Sequence, residues 1–263
     1  MIVGCIQNTV INGDVENNLK IYLDSISMCN SDIIVLPEMW FCGFDYKNIV
    51  EHSQKTPAMI EKISSKSDGK ILVVTMPEND NNKIYNTVYI IKDGNILSKY
   101  RKQFLFSPQR EDQYFSPYDN DVPVVLYNDM NISVATCYEI RFPEVFRIGA
   151  YMGAEVFLVP AIWPANKKDH WLTLLRGRSI ENQAYVIGCS ASKVINNDKE
   201  LKCGYSAAFD PWGEALFVLD QSETIGYAEV SKEKVYEVRR SIPSLSDAKK
   251  RFDINKKPLS GTK

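Results

Sequence analysis

The chain has 263 residues, of which 44% are hydrophobic and 24% are charged, and its formal net charge at pH 7 is −2. These values are ordinary for a globular protein, and the length suits one large domain or two small ones. No linker rich in Gly, Ser or Pro divides the chain, so we predict one domain over residues 1–263, with a polar tail from about residue 256. The nearly neutral balance argues against a nucleic-acid partner, and no apolar run is long enough for a membrane span.

The cysteines and histidines exclude several kinds of site. The six cysteines have no C-x-x-C spacing, so a zinc ribbon or a thioredoxin-type motif is not expected. Only two histidines are present, His52 and His170, which excludes a His-rich metal site and leaves few partners for a Cys–His hydrolase. A hydrolase with this composition would use a carboxylate or a lysine as its base. The N-terminus lacks a basic region typical of signal peptides, so we expect a cytoplasmic protein with reduced thiols.

Apolar runs rich in Val and Ile predict eight strands, several of them buried on both faces. In chain order these are Ile2–Gln7, Asp32–Pro37, Lys70–Met76, Thr87–Lys92, Ile132–Cys137, Glu155–Pro160, Ala184–Ser190 and Ser206–Asp210. The segments Asp93-Gly94 and Pro211-Trp212-Gly213 predict turns that follow two of these strands.

Apolar residues at helical spacing predict three helices, which are Glu16–Asn30, Pro143–Met152 and His170–Asn182. The order of a helix, a strand and a proline occurs at Asn17–Pro37 and again at Pro143–Pro160. Another strand and a hairpin-like pair follow each copy. This pattern is typical of a duplicated α/β unit, although such units also recur by chance.

Three predicted strands end at a residue that can carry chemistry. Glu38 follows the apolar run that stops at Pro37, where a carboxylate shielded from water would suit a general base. Lys102 lies at a strand exit, where its cation could stabilise an oxyanion. Cys137 ends an apolar strand just before a helix start at Pro143, a bend typical of an exposed nucleophile. Taken singly, these residues also fit a surface acid, a solvated lysine and a buried structural cysteine.

The segments around these residues together resemble the nitrilase superfamily of carbon–nitrogen hydrolases. Five segments carry the resemblance in the order that the family has them: Leu36–Phe44, Tyr100–Phe106, Phe106–Phe115, Cys137–Glu144 and Gly204–Gly213. The resemblance covers roughly Ile2 to Phe252. The chain departs from the usual family sequence at three positions. It has Phe104 where the family commonly has His, Glu139 where it commonly has Asp, and Tyr205 where it commonly has His or Asp. None of these positions is in the catalytic trio, so they leave only the polarity of the pocket open.

The resemblance implies an α+β fold, namely a four-layer α-β-β-α sandwich of the nitrilase type. It also implies that Cys137 is the nucleophile, Glu38 the base and Lys102 the electrostatic clamp, with Glu111 as a supporting glutamate. The backbone N–H of Tyr138 would help to hold the oxyanion. No metal and no organic cofactor is expected.

The stretch from Ile162 to Gly188, together with Val238–Pro243, is similar to the omega-amidase-like branch. Enzymes of that branch deamidate ω-amides of 2-oxo dicarboxylic acids such as 2-oxoglutaramate, so the expected partner is a small amide. A nitrilase, an N-carbamoyl amidase and a deaminated-glutathione amidase remain alternatives within the family. A non-catalytic binding module and a thiol redox protein that uses Cys137 are alternatives from other classes.

The side chains next to the motifs predict the pocket wall and the assembly. Phe44, Phe115, Trp163 and Tyr138 are expected to line the pocket, and Arg141 either meets a substrate carboxylate or pairs with Glu144 or another acid. Cys42 is expected to be packing. Family members usually pair through helices near the nucleophile. The resemblance therefore implies a homodimer, or a larger homo-oligomer, through the helices Pro143–Met152 and His170–Asn182.

Overall fold

The structure, a computed structural model, describes residues 1–119 and 121–251. In these ranges the strands are β1 (Ile2–Gln7), β2 (Val10–Ile11), β3 (Ile33–Val35), β4 (Ile71–Asp80), β5 (Lys83–Lys92), β6 (Asn95–Arg101), β7 (Val124–Tyr127), β8 (Met130–Val134), β9 (Val156–Ala161), β10 (Tyr185–Ser190), β11 (Lys193–Asn196), β12 (Lys199–Lys202), β13 (Ala207–Phe209), β14 (Ala215–Val218) and β15 (Thr224–Glu229). The helices are α1 (Val15–Met28), α2 (Ile49–Ser64), α3 (Pro143–Tyr151), α4 (Lys168–Asn182), α5 (Lys232–Ser241) and α6 (Ser244–Arg251). The predicted tail from about residue 256 lies outside the described residues.

Two six-stranded sheets form the middle of the fold, with the strand orders β15-β1-β3-β4-β5-β6 and β14-β13-β10-β9-β8-β7. In each sheet three central strands are parallel, namely β1, β3 and β4 in the first and β8, β9 and β10 in the second. Their side chains are almost all buried, because helices cover the outer face of each sheet and the other sheet covers the inner face. This explains why their sequences are apolar throughout and do not alternate.

The duplicated unit that the sequence suggested is present in the topology. In each sheet an edge strand pairs antiparallel with the first of the three parallel strands, and two further antiparallel strands follow the third. Helices α1 and α3 precede the middle parallel strand of their sheets, and α2 and α4 precede the last. The turns at Asp93-Gly94 and Pro211–Gly213 join the hairpins β5–β6 and β13–β14, as predicted.

The layers follow the order helix, sheet, sheet, helix, which confirms the predicted sandwich. The core between the sheets includes Cys5 of β1 and Cys189 of β10, both fully buried as their apolar surroundings predict. Helices α1 and α2 cover the first sheet, and α3 and α4 cover the second. None of the helices in the described ranges combines the length and apolarity that crossing a bilayer requires.

The carboxyl ends of β3, β6, β8 and β9 bring the three predicted reactive residues to one edge of the sandwich. β6 runs in the same direction as β3 and β4, because two antiparallel steps separate it from β4. Across the two sheets, the backbone N–H of Glu38 after β3 donates to the carbonyl of Ala161 in β9 at 3.3 Å. Since parallel strands end at the same edge of a sheet, residues far apart in sequence become neighbours there.

Candidate active site

A cavity of about 420 Å³ lies at this edge, within the size range of small-molecule sites. Of the predicted site residues, eight line it: Glu38, Phe44, Lys102, Glu111, Cys137, Tyr138, Arg141 and Trp163. The hairpin of β11 and β12, which pairs with β2 in a small third sheet, forms another part of the wall. The structure therefore collects residues from most of the chain in one concave site.

Glu38 is fully buried and lies just after the β3 strand, where Pro37 ends the ladder. The next residue, Met39, has φ of 48°, a left-handed conformation that is uncommon for residues other than glycine. This sharp bend is held by the hydroxyl of Thr75, which accepts from the backbone N–H of Met39 at 3.0 Å. The bend turns the carboxylate into the cavity, where its Oε2 accepts from the N–H of Ile162 at 3.4 Å.

Lys102 lies between two buried carboxylates. Its Nζ is 2.9 Å from Oε1 of Glu38 and 3.0 Å from Oε2 of Glu111, and all three side chains are at most 1% exposed. Burial alone would lower the pKa of Lys102, but the negative charges of Glu111 and Glu38 outweigh it and hold the pKa well above its ordinary value. Lys102 is therefore a permanent cation in the site.

Asn86 of β5 completes this cluster and was missed in the sequence. Its side-chain N–H groups donate to Oε1 of Glu38 at 2.8 Å and to Oε1 of Glu111 at 3.1 Å, and its backbone carbonyl accepts from the N–H of Lys102 at 2.8 Å. Glu111 is fixed further by the N–H of Phe106, which donates to its Oε2 at 2.5 Å. The available signal was an amide directly before an apolar run, but the predicted strand began one residue later, at Thr87.

Cys137 begins a short 3-10 helical segment, Cys137–Arg141, and has φ of 46°. Its Sγ lies 3.6 Å from the carbonyl oxygen of Ile162 and faces the carboxylate of Glu38. Burial and the charge of Glu38 raise the pKa of the thiol well above its ordinary value, and the opposing effect of Lys102 is smaller. A raised pKa favours the thiol over the thiolate, so a nucleophilic role would require a base that takes its proton.

The backbone around Cys137 leaves donors pointing out of the 3-10 segment. The first N–H groups of a helical segment have no acceptor within it, and the N–H of Tyr138 is one of these. Glu139 caps the segment, because its Oε2 accepts from the backbone N–H of Thr136 at 2.8 Å and its own backbone N–H donates to the carbonyl of Thr136 at 2.9 Å. This capping fixes the direction of the N–H groups beside the sulfur.

Aromatic rings form much of the wall, but not all the predicted ones. Phe44 and Trp163 line the cavity, together with Tyr46, which was not predicted. Phe115, which the sequence placed in the wall, lies one layer behind, because it is 2% exposed and packs edge-on against Tyr46 with ring centroids 6.3 Å apart. Cys42 is fully buried in the core beside this wall, as predicted.

Arg141 does not make the acidic pair that the sequence left open. Its guanidinium lies over the ring of Trp163, 5.0 Å from the centroid, and one of its nitrogens is 3.3 Å from Nδ1 of His170. Among the described residues no carboxylate, including that of Glu144, lies within ion-pair distance of Arg141. The cation is therefore available to a bound anion.

Two further cations line the cavity and were not predicted. Lys167 lies over the ring of Phe106, 5.4 Å from the centroid, and Lys199 opens β12 of the hairpin. The acid beside them, Glu200, is 3.3 Å from Nζ of Lys193 and so is already paired. The entrance to the cavity is consequently rich in positive charge. In the described part of the chain, no group of three or more His, Cys, Asp or Glu side chains is arranged to hold a metal ion.

Comparisons with known proteins agree with this geometry. The carbon–nitrogen hydrolase family model matches residues 2–240. The chain is 34% identical over 256 residues to a 2-oxoglutaramate amidase of Bacillus subtilis, covering 94% of this chain and 97% of that protein. It is 28% identical over 264 residues to an omega-amidase of Pongo abelii, covering 95% and 94%. A solved structure of a branch 10 nitrilase-superfamily protein from Saccharomyces cerevisiae is similar, with a TM-score of 0.83, 27% identity and coverage of 92% and 94%.

Proposed function

Because this chain belongs to the carbon–nitrogen hydrolase family and is a hydrolase of carbon–nitrogen bonds other than peptide bonds, we propose that its substrate is a small ω-amide with a carboxylate at the other end, 2-oxoglutaramate being the best candidate. The observation that carries the proposal is the cavity itself, which holds a thiol, a buried carboxylate–lysine pair and, at its entrance, cations without acidic partners. The named activity of the Bacillus subtilis relative supports the substrate.

In the proposed mechanism, Glu38 takes the proton of the Cys137 thiol while the sulfur bonds to the amide carbon. The electron pair of the carbonyl bond moves to oxygen, and this oxyanion is stabilised by the ammonium of Lys102 and the N–H of Tyr138. The raised pKa of the Cys137 thiol supports a concerted transfer, because little thiolate exists before attack. Glu111 holds Lys102 in place through its two carboxylate oxygens.

The second half of the reaction uses the same groups. The proton on Glu38 passes to the leaving nitrogen, the carbon–nitrogen bond breaks, and ammonia leaves a thioester on Cys137. Glu38 then takes a proton from water as its oxygen attacks the thioester carbon, and that proton returns to the sulfur when the acid is released. Each step uses only groups of this chain and water.

Recognition of the substrate carboxylate is assigned to Arg141, with Lys167 and Lys199 adding positive charge around it. Arg141 lies four residues after the nucleophile and stacks on Trp163, which presents its guanidinium to the cavity. A guanidinium suits a carboxylate because two of its N–H groups can bind both oxygens. Phe44 is proposed to pack against the carbon chain between the two ends. Phe115 supports Tyr46 from behind and is not proposed to touch the substrate.

The substrate is tested by measuring ammonia release from 2-oxoglutaramate, an uncharged amide of similar length, a nitrile, an N-carbamoyl amino acid and deaminated glutathione. We expect 2-oxoglutaramate to have the highest kcat/KM. We also expect Arg141→Gln to raise KM for 2-oxoglutaramate by about 10- to 100-fold, the value of a lost charged hydrogen bond, and to leave the uncharged amide nearly unchanged. Lys168→Gln is the matched control, since Lys168 lies over Tyr205 outside the cavity lining. Preference for another compound would overturn the substrate and keep the chemistry.

We further propose that the chain is a cytoplasmic protein, that residues 1–263 form one hydrolase domain, and that two copies pair through α3 and α4. The support is that Ile148 of α3, Met152 directly after α3 and Ile180 of α4 are large apolar side chains that are 43%, 53% and 49% exposed. Sedimentation equilibrium is expected to give a dimer, and Ile180→Lys is expected to shift it towards monomer. A monomer for the unaltered chain would contradict the pairing.

A further inference from the structure

One buried carboxylate has no part in the mechanism above. Glu139 lies two residues after the nucleophile, is fully buried and is not among the residues that line the cavity. At this position the chain also departs from the usual sequence of its family, which commonly has Asp. A buried carboxylate without a partner cation in direct contact is costly, so its hydrogen bonds require an explanation.

Glu139 accepts four hydrogen bonds, and the donors come from the segments that carry the lysine and the cysteine. Its Oε1 accepts from the hydroxyl of Tyr100 at 2.8 Å and from the backbone N–H groups of Gln103 and Phe104 at 2.7 and 3.3 Å. Its Oε2 accepts from the backbone N–H of Thr136 at 2.8 Å. Three of the donors are thus within two residues of Lys102, and the fourth is next to Cys137.

These donors belong to different sheets. Tyr100 and the residues after it continue β6, at the edge of the first sheet, whereas Thr136 follows β8 of the second sheet. No backbone ladder joins β6 to β8. The side chain of Glu139 therefore bridges the sheets at the level of the reacting groups.

The bridge needs the ionised carboxylate. An ionised carboxylate is only an acceptor, with about four lone-pair positions, whereas a protonated one carries an O–H that must itself donate. Four donors converge on Glu139, so protonation would leave at least one buried N–H or O–H without an acceptor. Burial raises the pKa of Glu139 to about 7, although the N–H of Gln103 and the charge of Lys102 act in the opposite direction. The titratable groups facing it are the phenol of Tyr100 and the ammonium of Lys102.

We propose that Glu139 is a positioning residue whose ionised side chain ties the Lys102 segment to the Cys137 segment and so sets the distance from the Lys102 ammonium to the Cys137 sulfur. This rests on the catalytic roles proposed above for those two residues. Only when Glu139 is ionised are both segments held, so the positioning strengthens as the pH rises through about 7. A displacement of about 1 Å between reacting groups costs about 100-fold in rate.

The test uses Glu139→Gln, which keeps the size of the side chain and places an NH₂ donor against one of the N–H donors. We expect kcat to fall by about 10- to 100-fold at about pH 8, while KM changes by less than about 3-fold, because Glu139 does not line the cavity. The ratio of wild-type kcat to variant kcat is expected to grow by about 10-fold from about pH 6 to about pH 8, since only the wild type has a carboxyl at position 139 that ionises in this range. Glu139→Asp keeps a carboxylate and is expected to retain part of this pH dependence.

The matched control is Glu155→Gln. Glu155 is also fully buried, and its Oε2 accepts from the backbone N–H of Asn131 at 2.8 Å, at the opposite end of β8. This variant is expected to lose stability but to keep the wild-type kcat and pH profile. A ratio for Glu139→Gln that is the same at every pH, or a kcat equal to that of the wild type, would overturn the proposal.

Stability gives an independent reading of the same group. The pKa of Glu139 in the folded protein, about 7, exceeds its ordinary value of 4.5. Between pH 4.5 and about pH 7 the Glu139 carboxyl is therefore protonated in the folded protein but ionised in the unfolded chain. This protonation stabilises the folded state, and the stabilisation is lost as the pH rises towards 7. We expect the fall in Tm between about pH 5 and pH 8 to be smaller for Glu139→Gln than for the wild type. An equal fall would mean that Glu139 does not titrate in this window.

A final measurement separates this proposal from the choice of substrate. The rate at which iodoacetamide alkylates Cys137, followed by peptide mass spectrometry, needs no substrate. Lys102 lowers the pKa of the Cys137 thiol, so misplacing its ammonium is expected to slow alkylation, with the same growth of the wild-type to variant ratio towards high pH. If 2-oxoglutaramate is not turned over but the alkylation ratio grows as stated, the substrate is wrong and the positioning role stands. A flat alkylation ratio would overturn the positioning role.

Discussion

Cys137→Ala is expected to lower kcat by at least about 10⁴-fold, because the covalent route to the thioester is lost and water must attack the amide directly. The fold is expected to persist, since the residue is partly exposed and the substitution removes only the sulfur, which contacts the carboxylate of Glu38 and the carbonyl of Ile162. Ammonia release under single-turnover conditions measures the loss, and intact-protein mass spectrometry detects the acyl adduct that only the wild type forms.

Two further variants make this result specific. Cys29→Ala removes a buried thiol that follows α1 and is not among the residues that line the cavity, and it is expected to keep wild-type kcat. Cys137→Gly is expected to be as inactive as Cys137→Ala but up to about 1 kcal/mol more stable in urea unfolding, because φ of 46° is strained for alanine and not for glycine. Activity in Cys137→Ala would contradict the covalent route. A folded wild type without activity on any compound would favour a non-catalytic binding module.

The thiol redox alternative receives no support from the surroundings of Cys137. The other five cysteines are buried and free, and the sulfur of Cys137 faces a carboxylate and a carbonyl. A raised thiol pKa also makes a resting thiolate scarce, whereas redox cysteines depend on one. In the proposed mechanism, the same raised pKa explains why the proposed base, Glu38, lies beside the sulfur.

The central strands and the helices next to the nucleophile were predictable because their local sequence carries the information. Strands buried on both faces must be apolar throughout, so β1, β3, β9 and β10 stand out without knowledge of their neighbours. Edge strands cannot be recognised in this way. β15 alternates between exposed and buried residues, and its partner β1 lies at the other end of the chain, so the pairing that makes it a strand is not visible locally.

Helix α2 was missed because its sequence opposes its structure. It contains Pro57, which cannot donate a helical hydrogen bond, and a polar run around His52. Its buried residues do recur at helical spacing, including Ile49, Ile60 and Ile63, but short polar side chains fill the positions between them. Packing against β4 and β5, not intrinsic preference, stabilises this helix.

The candidate site also combines features that the local sequence predicts with features that it does not. Glu38 and Cys137 lie at the ends of predicted strands, Lys102 was expected at a strand exit, and the family motifs marked the three together, so their meeting in one cavity was expected. What the sequence did not reveal was how the cluster is neutralised. Asn86 joins both carboxylates from a strand interior, and Glu139 reaches Gln103 across the two sheets, and these three contacts join residues at least 25 positions apart. Such contacts have no local signature.

Removing the buried cation should damage both stability and catalysis. Lys102→Met is expected to lower the free energy of unfolding by about 3–5 kcal/mol, because it leaves two buried carboxylates without a counter-charge. It is also expected to lower kcat by about 10³-fold or more through loss of the oxyanion clamp. Urea unfolding and ammonia release measure the two effects.

A triple variant that also lacks the two carboxylates separates the loss of stability from the loss of activity. Adding Glu38→Gln and Glu111→Gln to Lys102→Met removes the uncompensated charges, so stability should return to near the wild-type value while activity stays lost. Lys99→Met is the control: Lys99 is 44% exposed beside Glu78, and its loss should cost less than about 1 kcal/mol. A stable, inactive triple variant would mean that the buried ions are maintained for chemistry and not for folding. If the triple variant were as unstable as Lys102→Met, the packing of these side chains, and not their charge, would be what the fold requires.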